Sequence, residues 1–357
     1  MKKVSRENLD ALFAAIAEAK KLYLPVADGT DEKRGAKYSV WTPEAKYAAE
    51  AVNTVRSAKD FFFPQVENMV NFKVNGKKIE VDDIRTECED FVIFGVRACD
   101  AASFKILDSV YLSEPVDTYY QNRREHGVVM TMSCSKPSET CFCSVFGIDA
   151  AEPAGDVSCW LTDDAVLMQA NTEKGEALLA SLPMLEDAAD DAAEESKAKT
   201  KAILEKLPLK NLSTDSFGGD KLMELFSSDK WASLSEACLG CGTCTFVCPT
   251  CQCYDIRDYD TGHGVQRFRC WDSCMYADFT KTAGGQPRPT QLERFRQRFM
   301  HKLVYYPANN DGVFGCVGCG RCMKSCRLID HAGDLLACAL NMTLHDGMTF
   351  AQAEGLG

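Results

Sequence analysis

Eight cysteines in two short runs carry the clearest chemistry of this 357-residue chain. The first run is Cys238-x2-Cys241-x2-Cys244-x3-Cys248, followed by Pro249; the second is Cys316-x2-Cys319-x2-Cys322-x3-Cys326. Three cysteines at intervals of three residues wrap a tight loop around three corners of a cubane. The fourth, at the start of the next turn, points away, and in chains with two such runs it ligates the other cluster. The spacing therefore predicts two [4Fe–4S] clusters. One uses Cys238, Cys241, Cys244 and Cys326, and the other Cys316, Cys319, Cys322 and Cys248. Gly240, Gly242, Gly318 and Gly320 let the loop backbone close around the sulfurs. Zinc on Cys238, Cys241, Cys316 and Cys319 is the structural alternative. It leaves the third and fourth cysteines of both runs unexplained.

A third [4Fe–4S] cluster is expected on Cys99, Cys134, Cys141 and Cys143. Phe91 to Val96 and Val128 to Met132 read as successive strands of a parallel βαβ unit, so their C-terminal ends share one sheet edge. Cys99 and Cys134 follow those ends closely, at the edge where α/β folds place their sites. Cys141 and Cys143 are two apart, so an extended segment presents both thiols on one side. Asp100 is expected to cap a helix beginning near Ala101, whose positive end favours a thiolate at Cys99. Cys88 and Cys159 are reserve ligands. Cys251, Cys253, Cys270 and Cys274 are read as thiols packed around the cluster region rather than as a further metal site.

The elements that position these residues show in the apolar periodicity. Asn8 to Leu22 reads as an amphipathic helix with Leu12, Ile16 and Ala19 near one face. Asn75-Gly76 marks a hairpin. Helices are expected over Ala101 to Leu112 and Tyr119 to Glu125. The acidic, alanine-rich stretch near 182–201 reads as a solvated connector with i,i+4 pairs such as Glu195 to Lys199. From about Lys230, short helices and loops are expected. A stronger helix starts at Thr290, which has capping-box spacing to Glu293. Leu292, Phe295, Phe299 and Leu303 form its apolar stripe. Arg294, Arg298 and Lys302 form a basic one, which either offsets cluster charge or faces water. His301 is expected at the surface. The fold class expected is α+β: an N-terminal α/β domain over 1–225, then a mainly helical dicluster ferredoxin domain over 226–357.

Composition narrows the function classes. The net charge of −12 argues against a nucleic-acid footprint. No apolar run approaches the roughly 18 residues that cross a bilayer, and no secretory signal core follows Met1-Lys2-Lys3, so a cytoplasmic location is expected. Reducing compartments disfavour disulfides, which leaves the nineteen cysteines as buried thiols or metal ligands. There is no Gly-x-Gly-x-x-Gly turn or Walker loop. Gly284-Gly285 reads as a turn, and the five histidines are scattered. No substrate-converting site of the chain's own is expected.

Six segments tie the chain to a known group: Gly95-Val96-Arg97-Ala98-Cys99-Asp100, Cys141-Phe142-Cys143, Cys248-Pro249-Thr250-Cys251-x-Cys253, Trp271-Asp272-Ser273-Cys274, Ala283-Gly284-Gly285 and Cys316-Val317-Gly318-Cys319-Gly320-Arg321-Cys322. Across about two thirds of its length, the chain resembles the ferredoxin-type iron–sulfur subunit of anaerobic sulfite reductase and the related β subunit of soluble nickel–iron sulfhydrogenases. The second run departs from the family in ending Cys326-Arg327 where Cys-Pro is usual. The resemblance implies an electron-transfer subunit between a flavoprotein partner that oxidises NAD(P)H and a terminal reductase. That reductase is a siroheme sulfite reductase in one branch and a nickel–iron hydrogenase in the other. A heterodisulfide-reductase-like assembly and a zinc scaffold without redox role are the alternatives.

Overall fold

The computed structural model describes residues 1–27, 35–84 and 88–326. Arg327, and with it the departure from the usual Cys-Pro ending, lies outside them. The chain forms two units. Unit 1 gathers Met1–Pro137, Asp149–Glu205 and Ile256–Cys270. Unit 2 gathers Ser138–Ile148, Lys206–Asp255 and the chain from Trp271 onward.

Unit 1 is built on an eight-stranded sheet. Its strands are β1 (Lys2–Ser5), β2 (Lys21–Ala27), β3 (Ala36–Val40), β6 (Phe91–Arg97), β7 (Gly127–Met132), β8 (Val157–Leu161), β9 (Ala165–Ala170) and β10 (Glu186–Asp187), in the order β10-β1-β9-β8-β7-β6-β2-β3. β2, β6, β7 and β8 run parallel, and antiparallel strands flank them on both sides. Every residue of β6 and β7 is buried, as expected for parallel strands covered on both faces. Helices α1 (Leu9–Ala19), α2 (Ala98–Tyr111), α3 (Thr118–His126), α4 (Glu173–Ala180) and α5 (Glu194–Leu204) complete the α/β arrangement. Leu12, Phe13 and Ile16 of α1 pack with Leu22, Leu24, Val92, Phe94, Met130 and Val166 in the main core.

The parallel βαβ reading of β6 and β7 is borne out, although two helices connect them. The α1 expectation ran too long: the helix stops at Ala19, and Leu22 belongs to β2. β4 (Val66–Asn75) and β5 (Lys78–Asp83) form the expected hairpin, closed by Gly76 at φ 64°. Asp100 does not cap α2. That helix already begins at Ala98, and Asp100 sits buried in its first turn. The acidic stretch contains β10 and the start of α5, with the Glu195–Lys199 ion pair in place at 2.8 Å.

One element escaped the sequence reading. The insert between the cysteine runs carries a hairpin, β11 (Tyr254–Asp260) and β12 (Gly264–Trp271). β12 pairs antiparallel with β4, making a second sheet of order β11-β12-β4-β5. The ladder explains why Ile256–Cys270 groups with unit 1, since β12 needs β4 to satisfy its backbone. The chain thus passes between units several times, which differs from one boundary at 225.

The regular elements lying wholly in unit 2 are short helices: α6 (Leu222–Phe226), α7 (Lys230–Glu236), α8 (Thr243–Phe246), α9 (Gln291–Met300), α10 (Tyr306–Asn309) and α11 (Arg321–Lys324). Their core joins Trp231, Leu234, Phe295, Phe299, Leu303 and Met323 to Phe142 from the Ser138–Ile148 segment. Between α9 and α10 the chain widens into a π turn, His301–Tyr305. Pro307 has no N–H to offer the carbonyl of Leu303, and Gly218 N–H supplies that bond instead at 3.0 Å.

Candidate metal centre

Each cysteine run folds the same way. Gly240 and Gly242 in the first have φ of 67° and 74°; Gly318 and Gly320 in the second have 57° and 77°. These left-handed positions turn the backbone back on itself between ligands. They also admit close neighbours: a Cβ on Gly318 would lie 2.4 Å from the carbonyl oxygen of Phe142. Gly242 and Gly320 then start the short helices α8 and α11, which pack against each other. The two runs are therefore neighbours despite the long insert.

A cavity in unit 2 is lined by Cys248, Cys316, Cys319 and Cys322, together with Phe142, Phe299, Gly318, Arg298 and Lys302. Three of these thiols come from the second run and the fourth from the end of the first. Cys248 and Cys319 are buried, while Cys316 and Cys322 are half-buried. Burial pushes the Cys316 thiol up to about 11, against the opposing pull of Lys302. Cys248 is held well down, first by its hydrogen bond with Cys251, then by Lys302 and Arg298 against its burial. Thr250 Oγ1 sits 3.3 Å from its sulfur.

The other set is arranged around α8 and the start of α9. Cys238 Sγ accepts from Gly240 N–H at 3.4 Å and from Gln291 Nε2 at 3.2 Å. The expected capping box positions Gln291: Thr290 and Glu293 bond reciprocally and fix the first turn of α9. Cys241 is exposed, with its sulfur 3.4 Å from Thr243 Oγ1. Burial raises the Cys244 thiol to about 12, opposed by Arg298, with Cys322, Cys274 and Cys238 among its neighbours. Cys326 is half-buried after α11, its N–H bonded to Met323 O.

The chemistry of these donors fits iron–sulfur clusters. Thiols line a shared cavity, backbone and amide N–H groups bond sulfur, and buried cations stand opposite. Among the described residues, no three Cys, His, Asp or Glu side chains converge as tightly as one metal ion requires.

The basic stripe of α9 separates into distinct roles. Arg294 binds the carbonyls of Met275, Arg288 and Pro289. Arg298 and Lys302 do not face water: they are 6% and 8% exposed. His301 is also largely enclosed rather than at the surface, and burial, then Lys302 and Arg288, lower it to about 4. Gln291 and Thr250 were missed as sulfur partners. Gln291 had a usable signal, one residue beyond a strong N-cap and so on the first turn that faces the first run.

The third set divides between the units. Cys99 lies in the first turn of α2 and Cys134 two residues past β7, both in unit 1, whereas Cys141 and Cys143 belong to unit 2. Arg97 braces the sheet edge beneath Cys99. It donates to Ala51 O at 2.9 Å, Ser133 O at 2.6 Å and Ala49 O at 2.6 Å. Burial raises the Cys134 thiol while Arg97 pulls it down. The reserve ligands are poorly placed. Cys159 is fully enclosed in the sheet core, and Cys88 precedes β6, at the opposite end of the strand from Cys99. Cys251, Cys253 and Cys274 lie in unit 2, with the two cysteine runs. The Cys251 thiol hydrogen-bonds with Cys248, and Cys253 with Cys274.

Comparison with known proteins agrees with the donor pattern. Residues 237–329 match the 4Fe-4S dicluster domain family. The chain is 34% identical over 329 residues to sulfhydrogenase 2 subunit beta of Pyrococcus furiosus, which covers 91% of this chain and 93% of that protein. No solved structure matches. No helix among the described residues is long and apolar enough to cross a membrane.

Proposed function

The chain belongs to the sulfhydrogenase beta-subunit family, an iron–sulfur electron-transfer subunit carrying two [4Fe–4S] clusters, and from that premise we propose that it passes single electrons between an NAD(P)H-oxidising flavoprotein and a terminal reductase. The observation that carries this reading is the cavity lined by Cys248 together with Cys316, Cys319 and Cys322. It supports crosswise ligand sets: those four on one cluster, and Cys238, Cys241, Cys244 and Cys326 on the other. The clusters supply reversible one-electron storage. The chain's own residues hold them, shield them and bond their sulfurs. A similarity that spans 91% of the chain favours a hydrogenase-type terminal partner over a sulfite reductase. Anaerobic purification of the native assembly tests both ends. A flavoprotein and a nickel-containing protein should co-purify. Siroheme in place of nickel would select the sulfite reductase branch, and a chain recovered with no flavoprotein would remove the proposed donor.

A third cluster on Cys99, Cys134, Cys141 and Cys143 is part of this proposal. It is supported by the parallel strands β6 and β7, which bring residues following both to one sheet edge. Full-length protein should then hold about twelve irons. Cys141→Ser with Cys143→Ser should remove about four of them. A wild-type count of about eight, unchanged by that double substitution, would leave only two clusters.

A further inference from the structure

Two cations are enclosed in unit 2 among thiols rather than carboxylates. Arg298 and Lys302 both line the cavity of Cys248, Cys316, Cys319 and Cys322. Burial alone would push both down, yet neighbouring cysteines hold both up. For Lys302 these are Cys248, Cys251 and Cys316; for Arg298 they are Cys244, Cys322, Cys251 and Cys248. Lys302 is fixed in place: its Nζ donates to Thr250 Oγ1 at 2.5 Å and to Gly315 O at 3.0 Å. Thr250 in turn donates to Gly315 O at 2.7 Å. Arg298 donates from one terminal nitrogen to Cys244 O at 3.4 Å, while its buried Nε has no acceptor among the described residues.

We propose that Lys302 raises the reduction potential of the cluster on Cys316, Cys319, Cys322 and Cys248 above that of its neighbour, and that Arg298 raises both. The physical reason is charge. A thiolate-ligated cluster gains negative charge when reduced, so a buried cation favours the reduced form, and the effect is strong where water is excluded. Hydrogen bonds to sulfur act in the same direction. Selectivity follows from position. Lys302 lines the cavity of one set alone, whereas Arg298 lines that cavity and also donates to the carbonyl of Cys244 in the other set, and the cysteines acting on each cation divide the same way. Lys302 therefore widens the gap between the two clusters, and Arg298 moves them together.

This inference rests on the two sets holding clusters, so the experiment separates the two claims. Full-length wild type, Lys302→Met, Lys302→Arg, Arg298→Lys and Arg298→Gln are prepared anaerobically and assayed first for iron. A redox titration followed by electron paramagnetic resonance then gives each midpoint. Cys319→Ser identifies the second cluster as the signal it removes. Lys302→Met should keep its iron and lower that midpoint, leaving the other in place. Lys302→Arg should stay at the wild-type value. Arg298→Lys keeps the charge and should leave both midpoints near the wild-type values, whereas Arg298→Gln removes it and should lower both. If Lys302→Met loads poorly, Lys302→Gln carries the same expectation, because an amide can still bond Gly315 O. Full iron with unchanged midpoints in the neutral variants, or a shift on the other cluster, would overturn the inference. Wild type that binds no iron would instead overturn the cluster reading itself.

Discussion

Two buried basic sites, one in each unit, are handled in opposite ways. In unit 1, Arg269 is 1% exposed, and its guanidinium meets Glu67 at 2.6 Å and Asp117 at 2.5 Å. Arg123 closes on the other Glu67 oxygen at 2.7 Å, and the rings of Phe63, Tyr111 and Tyr119 stand around Arg269. The folded chain satisfies that network itself, with carboxylates for counter-charges. In unit 2, Arg298 and Lys302 are enclosed just as firmly, but their neighbours are thiols that also line a cavity. A buried cation left without its counter-ion costs several kcal/mol, so sequences rarely leave one that way for stability alone. The contrast teaches that the Arg269 network closes on carboxylates within the fold, while Arg298 and Lys302 stand among the thiols of the proposed cluster site.

The comparison breaks most visibly when iron is withdrawn. Cys319→Ser and Cys241→Ser should each remove about four irons. Oxidative stripping of both clusters should strip hydrogen-exchange protection from α9 but not from β6 and β7. If β6 and β7 lose protection in parallel with α9, the units do not differ in their dependence on clusters.

A second test acts on unit 1. Glu67→Ala leaves Arg269 and Arg123 short of a carboxylate, and should destabilise the protein by about 3–5 kcal/mol. Its iron content should match wild type. Denaturant unfolding paired with iron analysis reads both quantities, and a loss of iron at unchanged stability would contradict the assignment of this network to the fold.

Backbone geometry sharpens the same contrast on a smaller scale. Gly76 and Gly318 both have positive φ, but a Cβ on Gly76 meets nothing within 4 Å, whereas on Gly318 it meets the Phe142 carbonyl. Gly76→Ala should therefore cost only about 1 kcal/mol, seen as a small fall in Tm. Gly318→Ala adds a backbone clash and should cost roughly 2–3 kcal/mol, with accelerated cluster loss. Equal effects would mean that the approach of Phe142 to the second run is not constraining.

The smallest effect is one of pH. His301 is lowered from 6.5 to about 4, first by burial, then by Lys302 and Arg288. The unfolded chain takes up this proton near pH 6.5, while the folded chain resists it until near pH 4. Stability from the neutral histidine is therefore complete above about pH 6.5 and falls as pH drops toward 4. Between about pH 7.5 and 5.5 the loss should be roughly 1 kcal/mol. His301→Gln should remove that part of the slope in denaturant midpoints, and an unchanged slope would show that His301 titrates freely.

Local patterns made much of this protein readable from its residues. The ligand runs are spaced by the geometry of a tight loop, so Cys238 to Cys248 and Cys316 to Cys326 declared their chemistry without any fold. Asn75-Gly76 and the Thr290–Glu293 box were equally local, because a turn type or an N-cap is decided within four residues. β6 and β7 were legible because strands covered on both faces are apolar throughout. The β11–β12 hairpin was not: β11 is largely exposed and polar, and β12 mixes arginines with its apolar residues without a clean alternation. What only the tertiary structure decided was the surroundings of a side chain. Arg298 and Lys302 read as a solvent stripe or as cluster partners equally well, since burial depends on segments far away in sequence. Thr250 and Gly315 enclose Lys302, and Phe142 reaches the second run from more than 150 positions upstream. Spacing along the chain is a local property and survives in the sequence; the charge environment of a buried group is a sum over neighbours that only folding assembles.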